Sequence, residues 1–376
     1  MKVFHPPFCA RRRCLHHVPR SGAPFSNFIS WGFYKTKAFG LVPRFRCLAC
    51  GKTFSTQTFR VDYYAKKVLP YEDIARRLSS CESLSAIGRS LRASTDTISN
   101  RISRAARQAL ALESELASSR RPREDLAADG FESFCRSQYW PNNITLLVGA
   151  ASQFVYASDH VTLRRKGAMR AGQKARRAEL EKLFRPDPRG IERSFARIAT
   201  EGLRVLSDEG RPSLMLWTDE HRAYHRAILR SPCSAAMVRE RRLLHRTISS
   251  RAARTRDNPL FPVNYLDREL RKDLHEHTRE TTCFGRNVNR QMERLAVYLH
   301  WHNFRKPHRA RGDPRSNAEV AGYEVDCANR AIKAMWKERR WLTLTTLTET
   351  MRDTWLRIRP TPLRSSRDYL PQYAFM

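Results

Sequence analysis

Between residues 68 and 120 apolar positions recur at spacings of three and four, the period of amphipathic helices. Leu84, Ile87 and Leu91 fall on one face; Ile98 and Ile102 fall on another, with the polar turn Arg92-Ala93-Ser94 between them. This predicts a short helix, a tight turn and a second helix capped by Ser94 or Thr95. Pro122 breaks the pattern, and over 125–165 the runs DLAADGF, NITLLVGAAS and FVYASDHVTL are strand-like. SLMLWTD (213–219) is a further apolar run closed by an acid, and MVRERRLLHRTIS (237–249) is a further strand candidate. Helical periodicity holds over 164–209 and 265–304. A basic loop follows Pro307, then a helical tail and a Pro-rich end at Pro360, Pro362 and Pro371.

The charge narrows the class. The 376 residues carry 70 Lys and Arg against 37 Asp and Glu, a net charge of +33. With 41% hydrophobic residues the chain can bury real cores, so the excess charge sits on a folded molecule and points to a polyanion, nucleic acid before membrane. The length suits two or three domains. No apolar run approaches the roughly 20 residues of a membrane span; the longest, Ile144 to Ala151, is strand-sized. The opening MKVFHPPFCARRR has no apolar signal region. The nine cysteines are an odd count, with five scattered singly, as expected in a reducing compartment without disulfides.

The other four cysteines are paired in sequence, Cys9 with Cys14 and Cys47 with Cys50, inside a segment holding 13 Lys and Arg against the single acid Asp62. Two such pairs converging on one tetrahedral ion make a zinc ribbon. The second pair, RFRCLACGKTF, is well formed, with Gly51 placed for a tight turn. The first is looser, and His5, His16 or His17 could replace one of its cysteines.

On the second helix of the pair, Thr95, Asp96, Thr97, Asn100, Arg101 and Arg104 are expected on the outer face. There they would reach base edges and phosphates in a major groove, as in a helix-turn-helix. The plainer alternative is a helical hairpin with a solvated face. Residues 164–193, with 11 basic and 4 acidic residues, are a second candidate for backbone contact.

Acids complete the pattern. Asp129 and Asp219 each end an apolar run, and VNYLDRELRKDL offers Asp267 or Glu269 on a helix. Two residues apart, these last two lie about 200° around the axis, so only one can face a site. Three converging carboxylates repel unless divalent cations lie between them, and with two such ions they form a clamp for displacement at phosphorus.

Taken together, these segments resemble a DDE/D transposase of a bacterial insertion sequence, nearly end to end. LWTDEHRAY looks like the family's second-acid segment and VNYLDRELR like its third, where an acid–Arg pair opens the helix; this favours Asp267 over Glu269. MERLAVYLHWHNFRKPHRA (292–310) resembles the closing stretch, with Trp301, His302 and Asn303 either against a DNA end or packed inside. The first knuckle and an Asp as third acid, where many relatives carry Glu, depart from the family pattern. The resemblance implies an α/β chain. A zinc ribbon (1–67) and a helix-turn-helix domain (68–121) precede a ribonuclease H-like mixed-sheet catalytic domain (122–312) and a helical basic tail (313–376). Its sheet would hold a meander of strands at 125–131, 144–151 and 153–161, with 213–218 and 238–246 beyond. The implied activity is cleavage and transfer of DNA strands with Mg²⁺ or Mn²⁺ on Asp129, Asp219 and Asp267, beside a structural Zn²⁺ on Cys9, Cys14, Cys47 and Cys50. The implied partners are double-stranded DNA, as terminal inverted repeats and target, and further copies of the chain; the implied place is the bacterial cytoplasm, on the nucleoid. A zinc-ribbon and helix-turn-helix transcription regulator, or an inactive transposase-derived DNA-binding protein, is the competing reading.

Overall fold

A computed structural model of the chain describes residues 4–17, 24–117, 124–205, 213–278, 281–309, 311–339, 347 and 349–362. Pro122, Pro371 and the end of the 164–209 stretch lie outside them.

The basic N-terminal segment forms a three-stranded antiparallel sheet, β1 (Phe28–Thr36), β2 (Gly40–Cys47) and β3 (Thr53–Ser55), with β2 in the middle. Its inner face closes over Phe8, Phe25, Phe45, Phe54 and Phe59 together with Cys9, Cys14 and Cys47. Three helices follow: α1 (Tyr71–Leu78), α2 (Leu84–Ser90) and α3 (Thr95–Ala117). Ser94 is the cap of α3, its Oγ accepting from Thr97 N at 3.2 Å. The tight approach before it depends on Gly88, where a Cβ would meet the Ala93 carbonyl oxygen at 2.6 Å.

Next come β4 (Leu126–Phe134), β5 (Pro141–Gly149), β6 (Val155–Thr162), α4 (Ala171–Leu183), α5 (Gly190–Val205), β7 (Leu214–Asp219), α6 (Arg222–Arg230), α7 (Pro232–Arg239) and β8 (Leu243–Ile248). The strands make one mixed five-stranded sheet in the order β6-β5-β4-β7-β8. The first three are an antiparallel meander, and β4–β7 and β7–β8 pair in parallel. The last strand begins later than the 238–246 expected. Pro232 at the first turn opens α7, which runs on to Arg239, and Arg241 at φ 58° turns the chain into β8.

The remaining elements are α8 (Phe261–Asp273), α9 (Val288–Phe304), the short pair β9 (Pro307–Arg309) and β10 (Asp313–Ser316), α10 (Asn317–Val320), α11 (Val325–Met335) and α12 (Glu349–Leu356). Both sheet faces are covered. Leu126, Ala128, Leu214 and Leu216 pack on Phe195, Ile198 and Tyr224 from α5 and α6. On the other face, Ala127, Phe131, Ile144 and Leu146 share a core with Val263, Leu266 and Leu270 of α8, with Leu295 and Tyr298 of α9, and with Ile74, Ile98 and Ile102 of α1 and α3. One cluster of buried residues therefore runs through both helical and sheet segments. No described helix is long and apolar enough to cross a membrane.

Candidate active site and metal centre

Alternation along β4 and β7 decides where their acids point. Asp129 has the parity of Ala127 and Phe131, and Asp219 that of Trp217, so both belong to the sheet face covered by α8. Leu126 pairs with Leu216 and Ala127 with Trp217, an offset of 216 − 126 = 90 residues. Two residues beyond this contact come Asp129 on β4 and Asp219 on β7 (219 − 129 = 90). Both acids thus stand at the carboxyl side of the parallel contact, where open α/β sheets form their ligand crevices. Asp219 ends its strand with Oδ1 accepting His221 N at 2.9 Å, which fixes the carboxylate as the chain turns into α6.

Asp129 Oδ1 accepts from Gly130 N at 2.6 Å and from the Tyr224 hydroxyl at 3.4 Å. Gly130 is required by that approach. A Cβ there would meet the Tyr224 hydroxyl at 2.9 Å and run into the Asn143 amide. Burial, then the charge of Asp219, pushes the Asp129 carboxyl up to about 6. Asp267, from α8, is driven well above the usual carboxylate range by burial and then by Asp129, with Arg271 and Arg254 opposing. Its Oδ1 is buried with no hydrogen-bond partner. Tyr224 is raised in turn, by burial and by the charges of Asp129, Asp219 and Asp267. All three acids therefore act on one hydroxyl.

Glu269 lies elsewhere. Its carboxylate is buried and accepts from Lys272 at 2.8 Å and from Lys306, which also bonds Asp273 at 2.9 Å. That side of α8 is an ion-paired seam, with Asp273 also accepting from the Tyr298 hydroxyl of α9 at 2.9 Å. Glu276, in the turn after α8, is buried against Arg294.

A repelling set of carboxylates, one with an orphaned buried oxygen, suits a divalent cation. The set is more open than the cysteine cluster: among the described residues, Cys9, Cys14, Cys47 and Cys50 are the group whose ligand atoms converge, all four Sγ within 4.8 Å of one another. Cys9 and Cys50 are 3.6 Å apart and Cys14 and Cys47 3.9 Å. A tetrahedron with Zn–S bonds of ~2.3 Å has S···S edges of about 3.8 Å, so these spacings could bind a metal such as zinc. Gly51, at φ 68°, lets the chain turn directly after Cys50. The histidines are otherwise engaged. His5 bonds the Phe25 carbonyl, His16 pairs with Asn27, and His17 bonds the Cys9 carbonyl.

The expected DNA-reading face divides. Thr95 is exposed, and Thr97 and Asn100 are half-buried. Arg101 and Arg104 are buried, each 5% exposed, which corrects their expected outward position. Arg104 donates to the Val61 carbonyl at 3.0 Å and the Tyr63 carbonyl at 2.6 Å, and Arg101 to the Lys67 carbonyl at 3.1 Å. The reason is the surroundings of α3, which is buried on every side from Arg101 to Ala109. In the 164–193 stretch, Arg164 and Arg177 are held by Glu181, while Lys166, Arg170 and Lys174 are exposed. In the closing stretch Asn303 is buried and clamps α9 to β6, accepting from Val155 N at 2.9 Å and donating to its carbonyl at 3.0 Å.

Sequence reasoning missed Tyr224. It lies on the inner face of α6 with Ala223, Ala227 and Ile228, a pattern that reads as core, and nothing local separates its hydroxyl from a packed ring. The sequence matches no protein-family model and no curated protein.

Proposed function

We propose that this chain is a transposase that cuts and joins DNA strands by phosphoryl transfer. What supports it most is that Asp129 and Asp219, on neighbouring parallel strands, act on one another's charge, as Asp129 does on Asp267, whose buried Oδ1 has no hydrogen-bond partner. The strand order, an antiparallel meander followed by two parallel strands, suits a ribonuclease H-like catalytic domain.

In this reading Asp129, Asp219 and Asp267 would hold Mg²⁺ or Mn²⁺. The metal would stabilise charge on the attacking and leaving oxygens of an in-line displacement at phosphorus. The chain's own groups prepare that chemistry. Rigid strands hold Asp129 and Asp219, and α8 holds Asp267, so the oxygens are placed before substrate arrives. Tyr224 donates to Asp129 and orients its carboxylate. Arg254 and Arg271 lower the cost of gathering three acids. A water or a 3′-hydroxyl would attack the phosphorus, giving up its proton as the P–O bond to the departing strand breaks. The four cysteines would hold Zn²⁺ in a zinc ribbon. The net charge of +33 favours double-stranded DNA, as terminal repeats and target, and function in the bacterial cytoplasm as a homo-oligomer on DNA.

The test is strand transfer. Purified protein, Mg²⁺ and labelled duplexes carrying the DNA that flanks the gene should give nicked and joined products. Asp267→Asn should abolish both while duplex binding persists. Products that form equally with Asp267→Asn would sink the reading.

A further inference from the structure

Asp159 is the centre of an unbalanced charge cluster. It lies on β6, the edge strand of the mixed sheet, and is 2% exposed. Register sets it in one row with Thr145 of β5 and Gly130 of β4, two strands and about 10 Å from the backbone next to Asp129. Three guanidiniums meet on this one carboxylate. Arg197 of α5 donates to Oδ2 through Nε at 2.9 Å and also through Nη2. Arg357 and Arg359, from the segment after α12, donate to Oδ1 at 3.0 Å and 3.4 Å. Among the described residues Asp159 is the one acid that each of the three contacts, so the cluster carries two positive charges in excess.

The excess is held in a fixed shape. Asn289 of α9 clamps the backbone of Arg359, its Oδ1 accepting from Arg359 N at 2.8 Å and its Nδ2 donating to the Arg359 carbonyl at 2.9 Å. On either side, Trp355 is buried and Thr361 Oγ1 accepts from Val288 N at 3.3 Å. Arg197 follows Ser194 by one turn of α5, and the Ser194 hydroxyl lies 3.0 Å from that of Thr145. Exposure rises outward, from 3% for the Asp159 side chain to 12% for Arg359, 27% for Arg357 and 36% for Arg197. Arg359 Nε is buried with no hydrogen-bond partner. Burial pulls the Arg359 guanidinium below its ordinary range, with the charges of Arg357 and Arg197 adding to the effect and Asp159 opposing it.

One arginine neutralises a buried carboxylate, as Arg294 does for Glu276. A second and a third repel it and each other unless another anion joins them. We propose that Arg197, Arg357 and Arg359 bind a phosphate group, with Asp159 as the internal counter-charge that holds their forks in place. Planar guanidiniums present paired N–H groups that fit an oxyanion, and the two outer arginines reach solvent, where that group arrives. Its sources are the backbone of a nucleic acid, which the net charge of +33 favours, and a free phosphate ion. The inference goes beyond the proposed activity, which concerns Asp129, Asp219 and Asp267, and is tested without cleavage.

The experiment follows thermal unfolding of the full-length zinc-loaded protein in inorganic phosphate, at an ionic strength held constant with chloride, and anisotropy of a labelled duplex. The Tm of the parent should rise with phosphate. The double variant Arg197→Ala/Arg357→Ala leaves Asp159 paired with Arg359 and should lose that rise, and the same scan reports that it folds. Its duplex affinity should fall about tenfold and its salt slope by about 0.9, the share of one phosphate. Arg357→Lys keeps the charge but not the fork, and should weaken both responses. A phosphate response equal in parent and double variant would overturn the proposal. So would full responses in Arg357→Lys, which would mark a diffuse field instead of a built site. Loss of both responses in the double variant assigns the group to a nucleic-acid backbone; loss of the phosphate response alone assigns it to the free ion. Either loss in a protein that transfers no strands would leave this inference standing and remove the transposase reading.

Discussion

Asp267 and Glu269 stand two residues apart on α8 and have opposite surroundings. Glu269 is clasped by Lys272 and Lys306, while Asp267 has a buried oxygen with no hydrogen-bond partner and feels the charge of Asp129. The helix separates a structural acid from a candidate ligand by rotation alone.

Their substitutions should therefore fail differently. Asp267→Asn should leave the fold intact and remove Mg²⁺-dependent strand transfer. Glu269→Gln leaves Lys306 with only part of its neutralising charge in a buried seam, and should cost about 3 kcal/mol, seen as a lower urea midpoint. The folded fraction should keep its strand-transfer rate. Loss of transfer in Glu269→Gln at full stability would reverse the assignment.

Asp129 makes stability depend on pH in an unusual direction for an acid. Its carboxyl is raised from 3.8 to about 6 in the fold, so the folded state holds the proton more tightly than the unfolded chain does. The Asp129 contribution to stability in chelator should fall as pH rises from about 4 to 6 and level off above. At 1.36 kcal/mol per pH unit the Asp129 share is roughly 3 kcal/mol. Asp129→Asn should flatten this slope and stabilise the metal-free protein at pH 7, measured by denaturant titration at several pH values. Stabilisation of the parent by Mg²⁺ should be weak at pH 5 and grow above pH 6. A slope identical in parent and variant would contradict the buried position of Asp129.

The cysteine cluster predicts about one zinc per chain by elemental analysis. Cys47→Ser should lose the metal and unfold the first 60 or so residues. Because His16 pairs with Asn27 and stands apart from the thiols, His16→Ala should keep full zinc content. Zinc lost from His16→Ala would return a histidine to the ligand set.

Arg104 should act on stability rather than on DNA. Its guanidinium joins α3 to the Val61 and Tyr63 carbonyls, so Arg104→Ala should cost roughly 2–3 kcal/mol, from hydrogen bonds to a charged group lost in a buried setting. DNA affinity per folded molecule should be unchanged. Exposed Thr95 remains the outward candidate for base contact, and Thr95→Ala should lower affinity for a cognate repeat by about tenfold if it reads a base, whereas the Asn100 carbonyl oxygen is held by Arg101 and Arg104. A DNA defect in a fully stable Arg104→Ala protein would place that residue back at the interface.

Local pattern determined a good deal. The period of three and four over 68–120, the polar turn at Arg92–Ser94 and the strand-like runs after residue 125 needed only the sequence, because helix and strand impose their own spacing on apolar residues. Cysteine spacing and Gly51 pointed in the same way to a cluster that could bind a metal, and a carboxylate closing an apolar run pointed to Asp129 and Asp219, though β4 continues past Asp129 to Phe134. Tertiary structure decided what periodicity leaves open. A helix carries no signal for how many of its sides will be covered. Arg101 and Arg104 therefore read as an outer face, until the packing of α3 by its neighbours, buried on every side from Arg101, turned them inward. The same reason hid the seam at Glu269, whose partner Lys306 lies 37 residues on, and the hydroxyl of Tyr224, which reaches Asp129 across 95 residues. Such long-range pairs depend on the order and register of the sheet, and that order is set by burial of both its faces at once.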